Sequence, residues 1–135
     1  MYYIYTDGAY SSTRDQGGIG VVILKDDEKI LEYSKCYKQT TNNQMEIMAV
    51  IAGLQCIKNP VEEITIISDS MYVIGCATLG WKRKKNVSLW KLFDKVINKT
   101  SKLCSNISFK HVEGHANNEL NNLCDRLAVS ASHEI

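Results

Sequence analysis

The apolar residues of this chain change their spacing partway along it, and the order of that change limits what it can fold into. Before residue 40 they come in strand-like runs. Residues 2–6 mix aromatic and branched side chains, residues 17–24 read "GGIGVVIL", and "KILEYSKCY" follows a polar "KDDE". Short runs broken by turn residues predict three strands joined as antiparallel hairpins, with Asp7-Gly8 as the first turn. From residue 42 to 57 the spacing is helical, with Met45, Met48, Ala49, Ala52 and Cys56 recurring every three or four residues. Threonines and asparagines before this run supply an N-cap, and Asn59-Pro60 a stop. "VEEITIIS", residues 61–68, is nearly continuous in apolar side chains and predicts a central strand covered on both faces. A short helix over 71–79 follows. Next comes an amphipathic helix over 88–103, striped by Leu89, Leu92, Phe93, Val96 and Leu103. A fifth strand over 107–112 precedes a last helix carrying Leu120, Leu123, Cys124, Leu127, Ala128 and Ala131 on one face. The order is βββαβα(α)βα. One mixed α/β sheet flanked by helices, in a single domain over residues 1–135, is the economical architecture.

Composition narrows the class. No apolar run approaches the ~20 residues of a membrane helix, and no signal or transit segment is visible, so a cytoplasmic location without membrane contact is expected. The five cysteines include no CxxC pair, which argues against zinc or redox motifs and for small buried hydrophobes. The formal charge of +1 hides an uneven distribution. Residues 81–102 hold eight Lys/Arg against one acid, Asp94. A basic stretch beside an acidic remainder suits a polyanion docking next to a cation site, although a solvated helix face gives the same count.

Four acids stand where a core would not want them. Asp7 follows the first strand and shares a face with Tyr3 and Tyr5. Asp69 ends the fourth strand in the same way, and open α/β sheets gather ligands at this edge. Glu46 is the only acid in the first long helix, and Asp125 borders the apolar stripe of the last. Each has an ordinary structural explanation, as a turn former, a cap, a surface helix former or an ion-pair partner. Four such placements together make the ordinary explanation less attractive. Converging carboxylates repel one another, and a hard divalent cation with oxygen ligands removes that cost. The arrangement therefore points to metal-assisted phosphodiester chemistry. His115, in the loop before the last helix, could move protons near the same pocket. His111 reads as structural, and His133 carries no assignment.

The motifs "YTDGA", "TTNNQMEIMAVIAGLQCI", "SDSMYV", "KNVSLW" and "HVEGHANNELNNLCDRLA" resemble, in order and spacing, successive signatures of type 1 ribonuclease H. The resemblance covers nearly the whole chain. It implies a five-stranded sheet with three antiparallel and two parallel strands. It implies cleavage of the RNA strand of an RNA–DNA hybrid by two-metal-ion hydrolysis, leaving 5′-phosphate and 3′-hydroxyl ends. Asp7, Glu46, Asp69 and Asp125 would hold two Mg²⁺ ions, with Mn²⁺ able to substitute, and His115 would assist proton transfer or release. Thr41, Asn42 and Asn43 would lie beside the hybrid, and Asn86 with Thr41 would grip a DNA-strand phosphate. Tyr72 and Trp81 would wall the DNA strand, and Lys82, Arg83, Lys84 and Lys85 would add phosphate attraction. For Tyr72 and Trp81 the competing explanation is core packing, and for "KRKK" a solvated loop. A monomer without a separate hybrid-binding domain is expected.

Departures from the pattern are local. The loop "AYSSTRDQGGIG" keeps Gly17 and Gly18 but lacks the Asn and prolines of many relatives, and the basic connector is short. Asn122 stands where many relatives have an acid, and Asn121 is kept. Two other readings remain open: a DNA-cutting nuclease of the same fold, and a non-catalytic module that binds nucleic acid or a partner.

Overall fold

The computed structural model describes residues 1–113 and 118–134. Strands β1 (Tyr2–Ser11), β2 (Gln16–Lys25) and β3 (Glu28–Lys38) form an antiparallel meander. The β2–β3 turn is Asp26-Asp27, with Asp26 at φ +57°, a left-handed conformation that Asp tolerates better than most residues. Helix α1 (Asn42–Gln55) leads to β4 (Glu63–Ser68), then α2 (Met71–Thr78) and α3 (Val87–Ser101). Strand β5 (Asn106–His111) and helix α4 (Glu119–Ser132) complete the chain. The sheet order is β3-β2-β1-β4-β5, with β4 parallel to both β1 and β5. This is the mixed sheet with the element order expected from the sequence. No described helix is long and apolar enough to cross a membrane.

The glycines show which helix covers which face. A Cβ on Gly53 of α1 would meet Ile4, Val21 and Thr6, so these side chains point toward α1. A Cβ on Gly18 or Gly20 of β2 would lie 2.2 Å from the carbonyl oxygen of Ala128 or Cys124, so α4 lies against the opposite face. The main core sits between the sheet and α1, where Ile4, Ile19, Val21, Ile47, Ile51 and Ile66 lose essentially all contact with solvent. Each such side chain contributes about 1.5–3 kcal/mol.

Five details differ from the sequence expectation. β1 does not turn at Asp7-Gly8. It runs on to Ser11, because β2 pairs with its whole length. α1 stops at Gln55, ahead of the proline, and Ile57 turns back into the core. β4 begins at Glu63 and is covered on both faces only in its second half, where Ile66 and Ile67 are buried, while Thr65 shares an exposed hydrogen bond with Ser108. The buried stripe of α3 is Trp90, Phe93, Val96 and Thr100, while Leu92 is exposed. Trp90 takes that place through edge-on contacts with Tyr72 and Phe93. Of the five cysteines only Cys76 and Cys124 are fully buried, and all five are free thiols.

Candidate active site

Asp7 lies where β1 outlasts its parallel neighbour. The β1–β4 pairing ends at Thr6 and Ser68. One more step of that register would set Asp7 beside Asp69, on the face that α4 covers. β4 ends at Ser68, so Asp69 leaves the sheet here, and Ser70 caps α2 through its hydroxyl. Glu46 arrives from the other face. Thr41 caps α1 by accepting from the Gln44 amide, which sets Glu46 in the first turns of the helix above Gly8.

That approach is possible only because residue 8 has no side chain. A Cβ there would fall 2.5 Å from the Glu46 amide nitrogen and the Met45 carbonyl carbon. The Gly8 amide donates to Glu46 Oε1 at 2.6 Å and to Asp7 Oδ1 at 2.9 Å. Carboxylate oxygens of Asp7, Glu46 and Asp69 all lie within 4.8 Å of one another. Asp7 and Glu46 are 3% and 8% exposed, so these charges are almost wholly withdrawn from water. Among the described residues, no lysine or arginine pairs with any of the three.

Burial first, then repulsion from its acidic neighbours, holds the Asp7 carboxyl far above the usual carboxylate range. Glu46 is raised as well, by burial and then by the Asp69 charge, with the Gly8 amide opposing. Asp125, half-buried on α4, is close enough for its charge to add to the rise at Glu46, but lies outside the tight cluster of three. An all-oxygen donor set with surplus negative charge and one shared amide donor fits a hard divalent cation. His115 lies outside the described residues. His111, read as structural, contacts the Asp69 carbonyl through Nε2 at 3.2 Å.

The residues expected along a nucleic-acid surface divide into free and engaged groups. Asn42 and Asn43 are exposed in the first turn of α1. Asn86 adopts a left-handed conformation (φ +59°) at the start of α3. Its Oδ1 accepts from Gln44 Nε2 at 3.2 Å, and its Nδ2 donates to the Tyr72 hydroxyl at 3.1 Å. The same hydroxyl accepts from Trp90 Nε1. A cavity of about 630 Å³ opens beside Gln44, Asn86 and Ser88. Sequence reasoning missed Gln44, although it sits inside the quoted "TTNNQME". Trp81 is 45% exposed and lies across Gly75 of α2.

The basic connector is not uniform. Lys82, Lys84 and Lys85 are exposed. Arg83 turns inward. Its guanidinium stacks 4.6 Å from the Trp90 ring, donates to both Asp94 oxygens at 2.8 Å, and reaches the Cys76 carbonyl through Nε.

Known proteins share this sequence pattern and this fold. The RNase H family model matches residues 1–133. A ribonuclease H of Trichodesmium erythraeum is 41% identical over 141 aligned positions, covering 98% of this chain and 88% of that protein. One from Thermoanaerobacter sp. strain X514 is 42% identical, covering 93% and 86%. The crystal structure of LC11-RNase H1 in complex with an RNA/DNA hybrid superposes with a TM-score of 0.79 at 26% identity, covering 97% and 96%. RNase H1 from Halobacterium salinarum shares the fold, with a TM-score of 0.78 and coverage of 96% of each chain. A trio of carboxylates on the β1–β4 edge, two of them buried, a match over almost every residue and relatives near 40% identity lead to one conclusion: the chain belongs to the type 1 ribonuclease H family.

Proposed function

We propose that this protein hydrolyses the RNA strand of RNA–DNA hybrids, leaving 5′-phosphate and 3′-hydroxyl ends, with Mg²⁺ held by Asp7, Glu46, Asp69 and Asp125. The convergence of three carboxylates, Asp7 and Glu46 buried and Asp69 half-buried, without an ion-pair partner among the described residues, carries this reading. Two such ions, when bound, supply a nucleophile from water near neutral pH and neutralise the scissile phosphate. The protein's own contribution is to hold the acids in place before the metal arrives. The Gly8 amide orients Asp7 and Glu46, and the strand ends fix Asp7 beside Asp69. Asp125 adds a fourth oxygen donor from α4, and His115 serves proton transfer or product release.

Substrate choice falls to the polar surface around α1. Thr41, Asn42 and Asn43 reach 2′-hydroxyls and base edges in the wide minor groove, where RNA differs from DNA. Asn86, fixed by Gln44 and Tyr72, presents with Thr41 a site for a DNA-strand phosphate. Trp81 and Tyr72 line that strand.

The test is an end-labelled RNA–DNA hybrid incubated with Mg²⁺. Cleavage within the RNA strand, absent with chelator and absent on duplex DNA, is the expected result. Cutting of duplex DNA would favour the DNA-cutting alternative. Binding without cleavage in both Mg²⁺ and Mn²⁺ would favour the non-catalytic one.

The connector allows a sharper prediction. Neutralising Lys82, Lys84 and Lys85 to Gln is expected to weaken hybrid binding and to flatten its salt dependence by about one to two phosphate contacts. Arg83→Gln is expected to lower stability by about 1 kcal/mol, through the lost contact with Trp90, and to leave the salt slope nearly unchanged. Filter binding from 50 to 200 mM salt, with thermal melts alongside, reads both. Equal slopes for the triple-lysine variant and the parent would remove the connector from the binding surface.

A further inference from the structure

Two of the three clustered carboxylates, Asp7 and Glu46, share the Gly8 amide as an anchor. Asp69 completes the trio, yet among the described residues no hydrogen bond reaches its carboxylate. It is the first residue past the end of β4, so neither neighbouring strand pairs with it. The aim of its side chain therefore depends on how the backbone is held there. Just before it, Ser68 stands beside His111 at the last step of the β4–β5 ladder, and the Val112 amide donates to the Ser68 carbonyl at 3.0 Å. Just after it, the Ser70 amide donates to Ser68 Oγ at 3.0 Å, and Ser70 Oγ caps α2 by accepting from the Val73 amide. On Asp69 itself the described contact is made by a side chain: His111 Nε2 lies 3.2 Å from its carbonyl oxygen. A carbonyl only accepts, so Nε2 carries the proton and donates it. The imidazole thus continues the β4–β5 ladder by one bond after backbone pairing has stopped, and that bond falls on a residue of the trio.

We propose that His111 is a positioning residue for Asp69: its ring fixes the peptide between Asp69 and Ser70 and so aims the Asp69 carboxylate at the place where Asp7 and Glu46 converge. The inference rests on the reading of the trio as a Mg²⁺ site. His111 acts through the backbone and leaves every carboxylate oxygen free for the ion. Mg²⁺ tolerates little departure from octahedral geometry, so a small error in the direction of one donor weakens its binding. A contact that merely tidied the end of a strand would show its worth in the metal-free protein. The His111 bond should show it when the ion enters, because only then must all three carboxylates point at one spot.

The test is a Mg²⁺ titration of the ¹⁵N-labelled protein without substrate, followed at the Gly8 amide, which bonds the other two carboxylates. His111→Phe keeps a ring and loses the donor. It should raise the titration midpoint about threefold to tenfold, and the Mg²⁺ needed for half-maximal hybrid cleavage by the same factor. His111→Gln, whose side-chain amide places an N–H donor near the position of Nε2, should restore most of the loss. His111 is exposed, so the melting temperature of both variants in chelator should stay within about 3 °C of the parent's. A parent-like midpoint in His111→Phe would overturn the inference. So would an equal loss in His111→Gln, or a larger fall in melting temperature in chelator, which marks a purely structural contact. A parent that takes up Mg²⁺ at Gly8 yet cleaves no hybrid would sink the proposed activity alone, because the titration still decides the role of His111. A parent whose Gly8 amide ignores Mg²⁺ would sink both.

Discussion

Asp7→Asn is expected to cost at least about a thousandfold in hybrid cleavage while making the metal-free protein more stable. The two effects have one cause. The folded chain forces Asp7, Glu46 and Asp69 together without a cation, so their mutual repulsion opposes folding. Asp7 and Glu46 bind protons more tightly in the folded state than their ordinary values of 3.8 and 4.5 allow. Their raised values favour the folded state below about pH 4, and that advantage is lost as pH climbs through the folded-state values. Removing one charge removes part of the loss. The stability of Asp7→Asn relative to the parent should therefore grow from pH 5 to pH 8, reaching about 2 kcal/mol in chelator. Taking the difference between the two proteins cancels the titration of all other groups. Added Mg²⁺ should reverse the order by stabilising the parent and not the variant. Thermal melts in chelator and in Mg²⁺ across this range measure it. A variant that is less stable than the parent at pH 8 in chelator would contradict electrostatic strain at the site.

Gly8→Ala is expected to damage both fold and site. The new methyl would stand 2.5 Å from backbone atoms of Met45 and Glu46, which cannot move aside as a flexible side chain can. The start of α1 must lift from β1, at a cost of about 3 kcal/mol. For a chain of this size the melting temperature should fall by roughly 10 °C. Glu46 moves with the helix, and the Gly8 amide can no longer reach both carboxylates. Even at a temperature where the variant remains folded, a higher Mg²⁺ concentration should be needed for half-maximal cleavage. A parent-like melting point together with a parent-like Mg²⁺ requirement would show that the close approach is not needed.

Local signals were legible where their causes are local. Thr41 and the spacing of Met45, Ala49 and Ala52 placed α1, because capping and helical periodicity depend on neighbours in the chain. The acids drew attention because each interrupts or borders an apolar run. Errors gathered where distant segments decide. Asp7-Gly8 reads as a turn in isolation, yet β2 carries β1 straight through it. Of the expected α3 stripe, Phe93 and Val96 are buried, but contacts with Tyr72 and Phe93 bring in Trp90, and Leu92 is left exposed. Arg83 reads as one of four equivalent cations until Trp90 and Asp94 are seen to hold it. The tie from Gln44 to Asn86 spans 42 positions and has no signal beyond its place in a motif.

By itself, the sequence determined the order of strands and helices, the cap of α1 and the presence of four misplaced acids, since each rests on interactions within a few residues. Tertiary structure alone decided that β1 outruns β4, that Gly8 lets α1 settle onto the strand, and that three of those acids meet within 4.8 Å. Those facts depend on strand register and helix docking between segments tens of residues apart, and no local periodicity encodes the distance between them.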